Sequence, residues 1–65
     1  MKQNKIAIIG AGKSGIACAK LALKFCYRVI LSEYLNKKID IKKHKDLTIE
    51  YGQHSNKILE CDFII

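Results

Sequence analysis

The first apolar positions, Ile6-Ala7-Ile8-Ile9, follow one another without alternating with polar residues. An unbroken apolar run predicts a strand over residues 5–9 covered on both faces, as in the centre of a parallel sheet. Over residues 14–25 the pattern changes to a helical one. On a helical projection Gly15, Cys18, Ala19, Ala22 and Cys26 share one side, with Lys13, Lys20 and Lys24 opposite. The inward stripe is made of small residues, which lets a helix lie close on a sheet. Ile16, Leu21, Leu23 and Phe25 flank it and are expected to supply most of the apolar area.

A second apolar run, Val29-Ile30-Leu31, predicts a strand over residues 28–32 that ends at Glu33. Residues 36–46 have no clean period, with five lysines, His44 and isolated Ile39 and Ile41. They are expected to form a crossover that is partly helical at best, its lysines and His44 in solvent. Leu47, Ile49 and Tyr51 alternate with Thr48 and Glu50, which suits an edge strand with one wet face. Gly52-Gln53-His54 then turns the chain, Ser55 is a candidate N-cap for a short helix over residues 56–60, and residues 62–65 start a fourth strand. With right-handed crossovers the expected fold is α/β, a Rossmann-like parallel sheet of order 3-2-1-4, truncated at the fourth strand. The organisation expected is a single, incomplete nucleotide-binding domain over residues 1–65.

Between the first strand and the helix lies Gly10-Ala11-Gly12-Lys13-Ser14-Gly15, a G-x-G-x-x-G turn in strand-turn-helix context. Such a turn aims free backbone N–H groups and the positive end of the helix dipole at one point, a cradle for phosphate. Gly10 is needed for the turn, Gly12 for close approach of a diphosphate, and Gly15 for close packing of the helix. Lys13 and Ser14 can add an ammonium, a hydroxyl and a backbone N–H. The Gly12-Lys13-Ser14 ending echoes an ATP loop, but that motif needs glycine where this chain has Ala7. Glu33 follows Gly15 by 18 residues, near the spacing of about 20 at which a carboxylate meets a ribose hydroxyl. Strand carboxyl ends collect Gly10 to Gly15, Glu33 with Tyr34, and Gly52 to His54 along one rim.

Sixty-five residues allow one small domain at most, and the net charge of +6 invites a nucleic-acid partner. Only Arg28 among the twelve cations is an arginine, whereas base readout favours arginine, so no nucleic acid is expected. No segment has the length of a membrane span, and no signal peptide is recognisable at the start. A cytoplasmic setting without a membrane partner is the default expectation. Cys18, Cys26 and Cys61 form no C-x-x-C pair and are expected to be buried, inert thiols. No catalytic residue and no metal ligand is expected within the chain.

The run from Ile6 to Ala17, the strand Val29-Ile30-Leu31-Ser32-Glu33, and Glu50-Tyr51-Gly52-Gln53-His54-Ser55 together resemble the N-terminal domain of the Mur ligases. Within that family the likeness is to the branch that adds D-glutamate, and it extends over nearly the whole chain. G-K-S-G in the turn with G-x-H-S after the third strand is its most discriminating part, since dehydrogenases share only the glycines. The resemblance implies a peptidoglycan-precursor ligase whose first domain binds the UDP of a muramoyl substrate. Gly12, Lys13, Ser14 and Gly15 would then meet the diphosphate, and Glu33 and Tyr34 would lie near the uridine. It further implies that ATP and magnesium act in a central domain, with a C-terminal domain bringing the amino acid. A Ser-Pro-Gly turn after the fourth strand would complete the uridine site. Two alternatives remain open on the residues alone: an NAD-binding module of a dehydrogenase or nucleotide sensor, and an inactive product of a truncated gene.

Overall fold

The computed structural model describes residues 3–35, 38–52 and 54–65. Its elements are β1 (Lys5–Ile9), α1 (Lys13–Lys24), β2 (Arg28–Glu33), β3 (Leu47–Tyr51), a 3-10 helix (Asn56–Glu60) and β4 (Phe63–Ile64). The four strands form one parallel sheet in the order β3-β2-β1-β4. This is the α/β arrangement and strand order that the apolar pattern predicts.

Register sorts the side chains into two faces. Ile6 pairs with Val29 and Ile8 with Leu31, while Val29 and Leu31 pair in turn with Leu47 and Ile49. These six positions share the face against which Ala19 and Ala22 of α1 pack, and Ile8, Val29 and Leu31 are almost wholly buried there. The opposite face carries Ala7, Ile30, Ser32, Thr48 and Glu50, as the period of two requires. Ile58 of the 3-10 helix is also buried.

The small-residue stripe is only partly the buried face. Ala19 and Ala22 are buried and Cys18 is half-buried, but of the flanking residues Leu21 and Phe25 are 57% and 66% exposed. Ile16 and Leu23 do pack on the core. Leu21 and Phe25 lie instead beside β4, lining an open apolar groove of about 610 Å³ with Phe63, Ile64 and Ile65.

No cysteine is fully buried, which corrects the expectation of three sequestered thiols: Cys18 and Cys61 are half-buried and Cys26 is exposed. For Cys26 the reason lies in how α1 ends. Cys26 N–H donates to the Leu23 carbonyl at 3.0 Å and Tyr27 N–H to the Ala22 carbonyl at 3.0 Å, the paired bonds of a Schellman cap. That cap needs a left-handed residue, and Cys26 supplies it with φ of 65°. The thiol therefore leaves the helix surface before the stripe can bury it.

The crossover from β2 to β3 contains no helix over residues 38–46. Ile39 is buried and Ile41 packs against the same core, a spacing of two that pins an extended segment to the α1 face. Lys38, Lys42, Lys43, His44 and Lys45 are exposed, as expected. Asn36 and Lys37 in this crossover and Gln53 in the turn after β3 lie outside the described residues. Ser55 caps the 3-10 helix as its side chain accepts the Lys57 N–H. At the other edge, pairing with β1 extends past β4 proper: Asp62 N–H donates to the Lys5 carbonyl and Ile65 N–H to the Ala7 carbonyl, at 2.9 and 2.8 Å.

Candidate functional site

Every element of the rim starts from the end of β1. Gly10 has φ of 95°, a conformation that side chains resist, and its N–H donates to the Ser32 carbonyl at 2.7 Å. One residue on, the Ala11 N–H donates to Glu33 Oε1 at 2.7 Å, a bond buried from water. The turn is thus tied twice to the end of β2. Gly52 N–H adds a third tie to the same place, donating to the Glu33 carbonyl at 2.9 Å.

The three glycines of the motif have different surroundings. A Cβ on Gly15 would stand 2.0 Å from the Gly10 carbonyl oxygen and 3.6 Å from Ile8 Cγ2, so the third glycine lets the helix touch the turn's own backbone. A Cβ on Gly12 would meet nothing within 4 Å. Gly12 is also the N-cap of α1, and no side chain caps the helix and no acid sits in its first turn. Ile16 N–H is the first to bond back, to the Gly12 carbonyl at 2.9 Å. The N–H groups ahead of it leave an electropositive, unhindered surface at Gly12, Lys13 and Ser14, all three exposed.

Glu33 is placed differently from a free ribose ligand. It is 7% exposed, and its second oxygen accepts the Leu35 N–H at 3.1 Å while the first holds Ala11. Its carboxylate braces the glycine turn through Ala11. Tyr34 is 66% exposed on the rim, its ring 6.1 Å from that of His54. The structure therefore brings the glycine turn, Glu33, Tyr34 and His54 to one edge of the sheet.

A polar cluster beside them was not foreseen. Ser32, fully buried, donates its hydroxyl proton to Glu50 Oε1 at 2.7 Å and contacts His54 Nδ1 at 2.5 Å. Ser55 donates its N–H to Glu50 Oε1 at 2.9 Å and its hydroxyl to Oε2 at 2.7 Å. These bonds hold the Glu50 carboxyl below the ordinary glutamate value, the Ser55 hydroxyl contributing most and the Ser55 N–H next. The available signal was Ser32, a polar residue closing an apolar strand, but its partners come from other elements. Among the described residues no three His, Cys, Asp or Glu side chains gather as metal ligands.

Two curated proteins, both named UDP-N-acetylmuramoylalanine--D-glutamate ligase, resemble this chain over its whole length. The one from Elusimicrobium minutum (strain Pei191) is 39% identical over 64 residues, which are 98% of this chain and 14% of that protein. The other, from Chloroherpeton thalassium (strain ATCC 35110 / GB-78), is 37% identical over 71 aligned positions, covering 100% of this chain and 15% of that protein. Over 98% or more of its residues this chain is thus similar to proteins of the Mur ligase family. It spans only 14% and 15% of the length of these Mur ligases, so it matches one small part of each. No family model and no solved structure matches it. Among the described residues no helix is long and apolar enough to cross a membrane.

Proposed function

We propose that residues 1–65 are the nucleotide-recognition part of a cytoplasmic peptidoglycan-precursor ligase that adds D-glutamate to UDP-N-acetylmuramoyl-L-alanine. The observation that carries this reading is the uncapped start of α1, open at Gly12, in a chain whose relatives are named for a UDP-linked muramoyl substrate. Gly10, Gly12, Lys13, Ser14 and Gly15 would form the diphosphate cradle, with backbone N–H groups and the helix dipole stabilising negative charge. Glu33 would keep the cradle in shape through Ala11, and the exposed Tyr34 would lie near the uridine.

ATP and magnesium belong to the proposed whole enzyme, in a central domain, with a C-terminal domain for the incoming amino acid. The residues described here do not fit that pair: Ala7 stands where an ATP loop needs glycine, and no carboxylate cluster is present among them. No step of ATP chemistry is assigned to them. The dinucleotide alternative leans on Glu33 as the ribose ligand, and that support weakens when both carboxylate oxygens already accept backbone N–H groups. Calorimetric titration of the protein as its organism makes it tests the choice. Binding of UDP-N-acetylmuramoyl-L-alanine without binding of NAD is expected; NAD binding with no response to the UDP compound would overturn the proposal.

A further inference from the structure

The net charge of this chain is not spread over its surface. Helix α1 carries Lys13, Lys20 and Lys24 and no acid, and residues 38–45 carry four lysines against Asp40. Each segment contributes +3, so the two together hold the whole net charge of +6, and the five cations and five acids elsewhere cancel. A lysine content raised by composition alone would leave its excess on every side of the fold. Here the two charged segments lie against each other, because Ile39 and Ile41 pin the crossover to the core on which α1 packs.

Between them lies an open hollow of about 470 Å³. Lys20 and Lys24, one helical turn apart, border it from α1, and Lys42 and Lys43 border it from the crossover, all four exposed. Leu23 and Ile41, both packed against the core, supply its apolar part. No acidic side chain lines it. The hollow sits toward the C-terminal end of α1, whose last residue, Lys24, stands about 16 Å along the axis from Lys13 at the glycine turn.

The chemistry of the hollow selects its occupant. A concave surface gives a flat bilayer no access to its apolar part. It is lined by no arginine and no aromatic ring, the groups that fork onto phosphates and stack on bases, which disfavours single-stranded nucleic acid. Lysine ammonium groups are compact charges with no fixed fork, suited to carboxylates that arrive from several directions. Leu23 and Ile41 between them offer contact to an aliphatic side chain. We infer that the groove between α1 and the crossover docks an acidic segment of a partner protein, with aspartate or glutamate on either side of a leucine-like residue. Charge steers the segment in, and the apolar contact sets which segment stays. The glycine turn takes no part, so this surface does not depend on which nucleotide the turn binds.

The test is an amide NMR titration of the protein as its organism makes it, using the peptide Glu-Glu-Leu-Glu-Glu and, at equal charge, Glu-Glu-Ser-Glu-Glu. Shifts centred on residues 20–24 and 41–44 are expected, with affinity at least about 5-fold higher for the leucine peptide through partial burial of one aliphatic side chain. Equal affinity would mean attraction to charge alone and overturns the docking groove. Shifts elsewhere, or none, overturn it as well. Oligouridylate and phosphatidylglycerol vesicles are titrated alongside; either one moving the same amides at lower concentration than the leucine peptide overturns the choice of occupant. Lys20→Glu combined with Lys24→Glu replaces two attractions by two repulsions and should weaken the leucine peptide at least about 10-fold. Unchanged affinity in that variant contradicts the inference. The two-peptide comparison on the native protein needs no substitution and decides the matter even where the variant fails to fold.

Discussion

Replacing Gly15 by alanine sets two opposed effects against each other at one atom. Gly15 lies inside α1, where alanine is favoured over glycine by about 1 kcal/mol. The new Cβ would stand 2.0 Å from the Gly10 carbonyl oxygen and 3.1 Å from its carbon. Reaching ordinary contact at 3.4 Å means opening the turn by 1.4 Å, the difference of those two oxygen distances. A side chain could rotate away, but Gly10 is backbone, held by its bond to Ser32 and followed by the Ala11 bond to Glu33. Overpacking against such a wall costs up to about 3 kcal/mol, so the net loss is about 2 kcal/mol. Native-state amide exchange reads this locally: protection across residues 6–18 should fall about 30-fold in Gly15→Ala, at 1.4 kcal/mol per factor of ten. Gly12→Ala is the control, with nothing within 4 Å of its Cβ. Its exchange should change little, while UDP affinity falls as the methyl fills the approach to the diphosphate. Unchanged or raised protection in Gly15→Ala would refute the claim that the turn and helix touch there.

Other substitutions probe the supports of the rim. Glu33→Ala leaves the buried Ala11 N–H without its acceptor and should cost about 1 to 3 kcal/mol by urea unfolding; an unchanged midpoint would count against the brace. Cys26→Gly relieves the left-handed cap and should stabilise the protein by about 0.5 to 1 kcal/mol, read from the thermal midpoint. Because the folded-state pKa of Glu50 is depressed, its contribution is present above the ordinary value of 4.5 and is lost as pH falls through the lowered one. The stability advantage of the native protein over Glu50→Gln should therefore exist at pH 7 and vanish in acid, as urea titrations at several pH values would show. Residues 1–65 prepared alone should self-associate through Leu21, Phe25 and residues 63–65, which sedimentation velocity would detect; a monomer at high concentration would contradict this.

What could be read from the residues alone was local. The glycine turn is legible because its demand for a left-handed Gly10 and a bare Gly15 acts within a few positions, and β1 and β2 show as unbroken apolar runs. The helix was displaced by one residue because its start is set by the open N-cap at Gly12 rather than by a capping side chain. Cys26 looked like part of an apolar stripe because no glycine marks the cap, and the Schellman bonds form around a cysteine all the same. Glu33 matched a spacing rule for a ribose ligand, while its observed partners are the N–H groups of Ala11 and Leu35. The Ser32, Glu50 and His54 cluster joins residues 18 and 22 positions apart, through strand register and the loop after β3. Periodicity assigns each of these residues to a face but does not pair them.

The most direct test of diphosphate recognition at the glycine turn is backbone amide NMR of the protein as its organism makes it, titrated with UDP. The largest shifts are predicted at Gly12, Lys13, Ser14 and Gly15, where the N–H groups at the start of α1 would meet the phosphates. UDP that binds without moving those four amides, or that moves only amides elsewhere, would contradict the placement of the nucleotide on this turn.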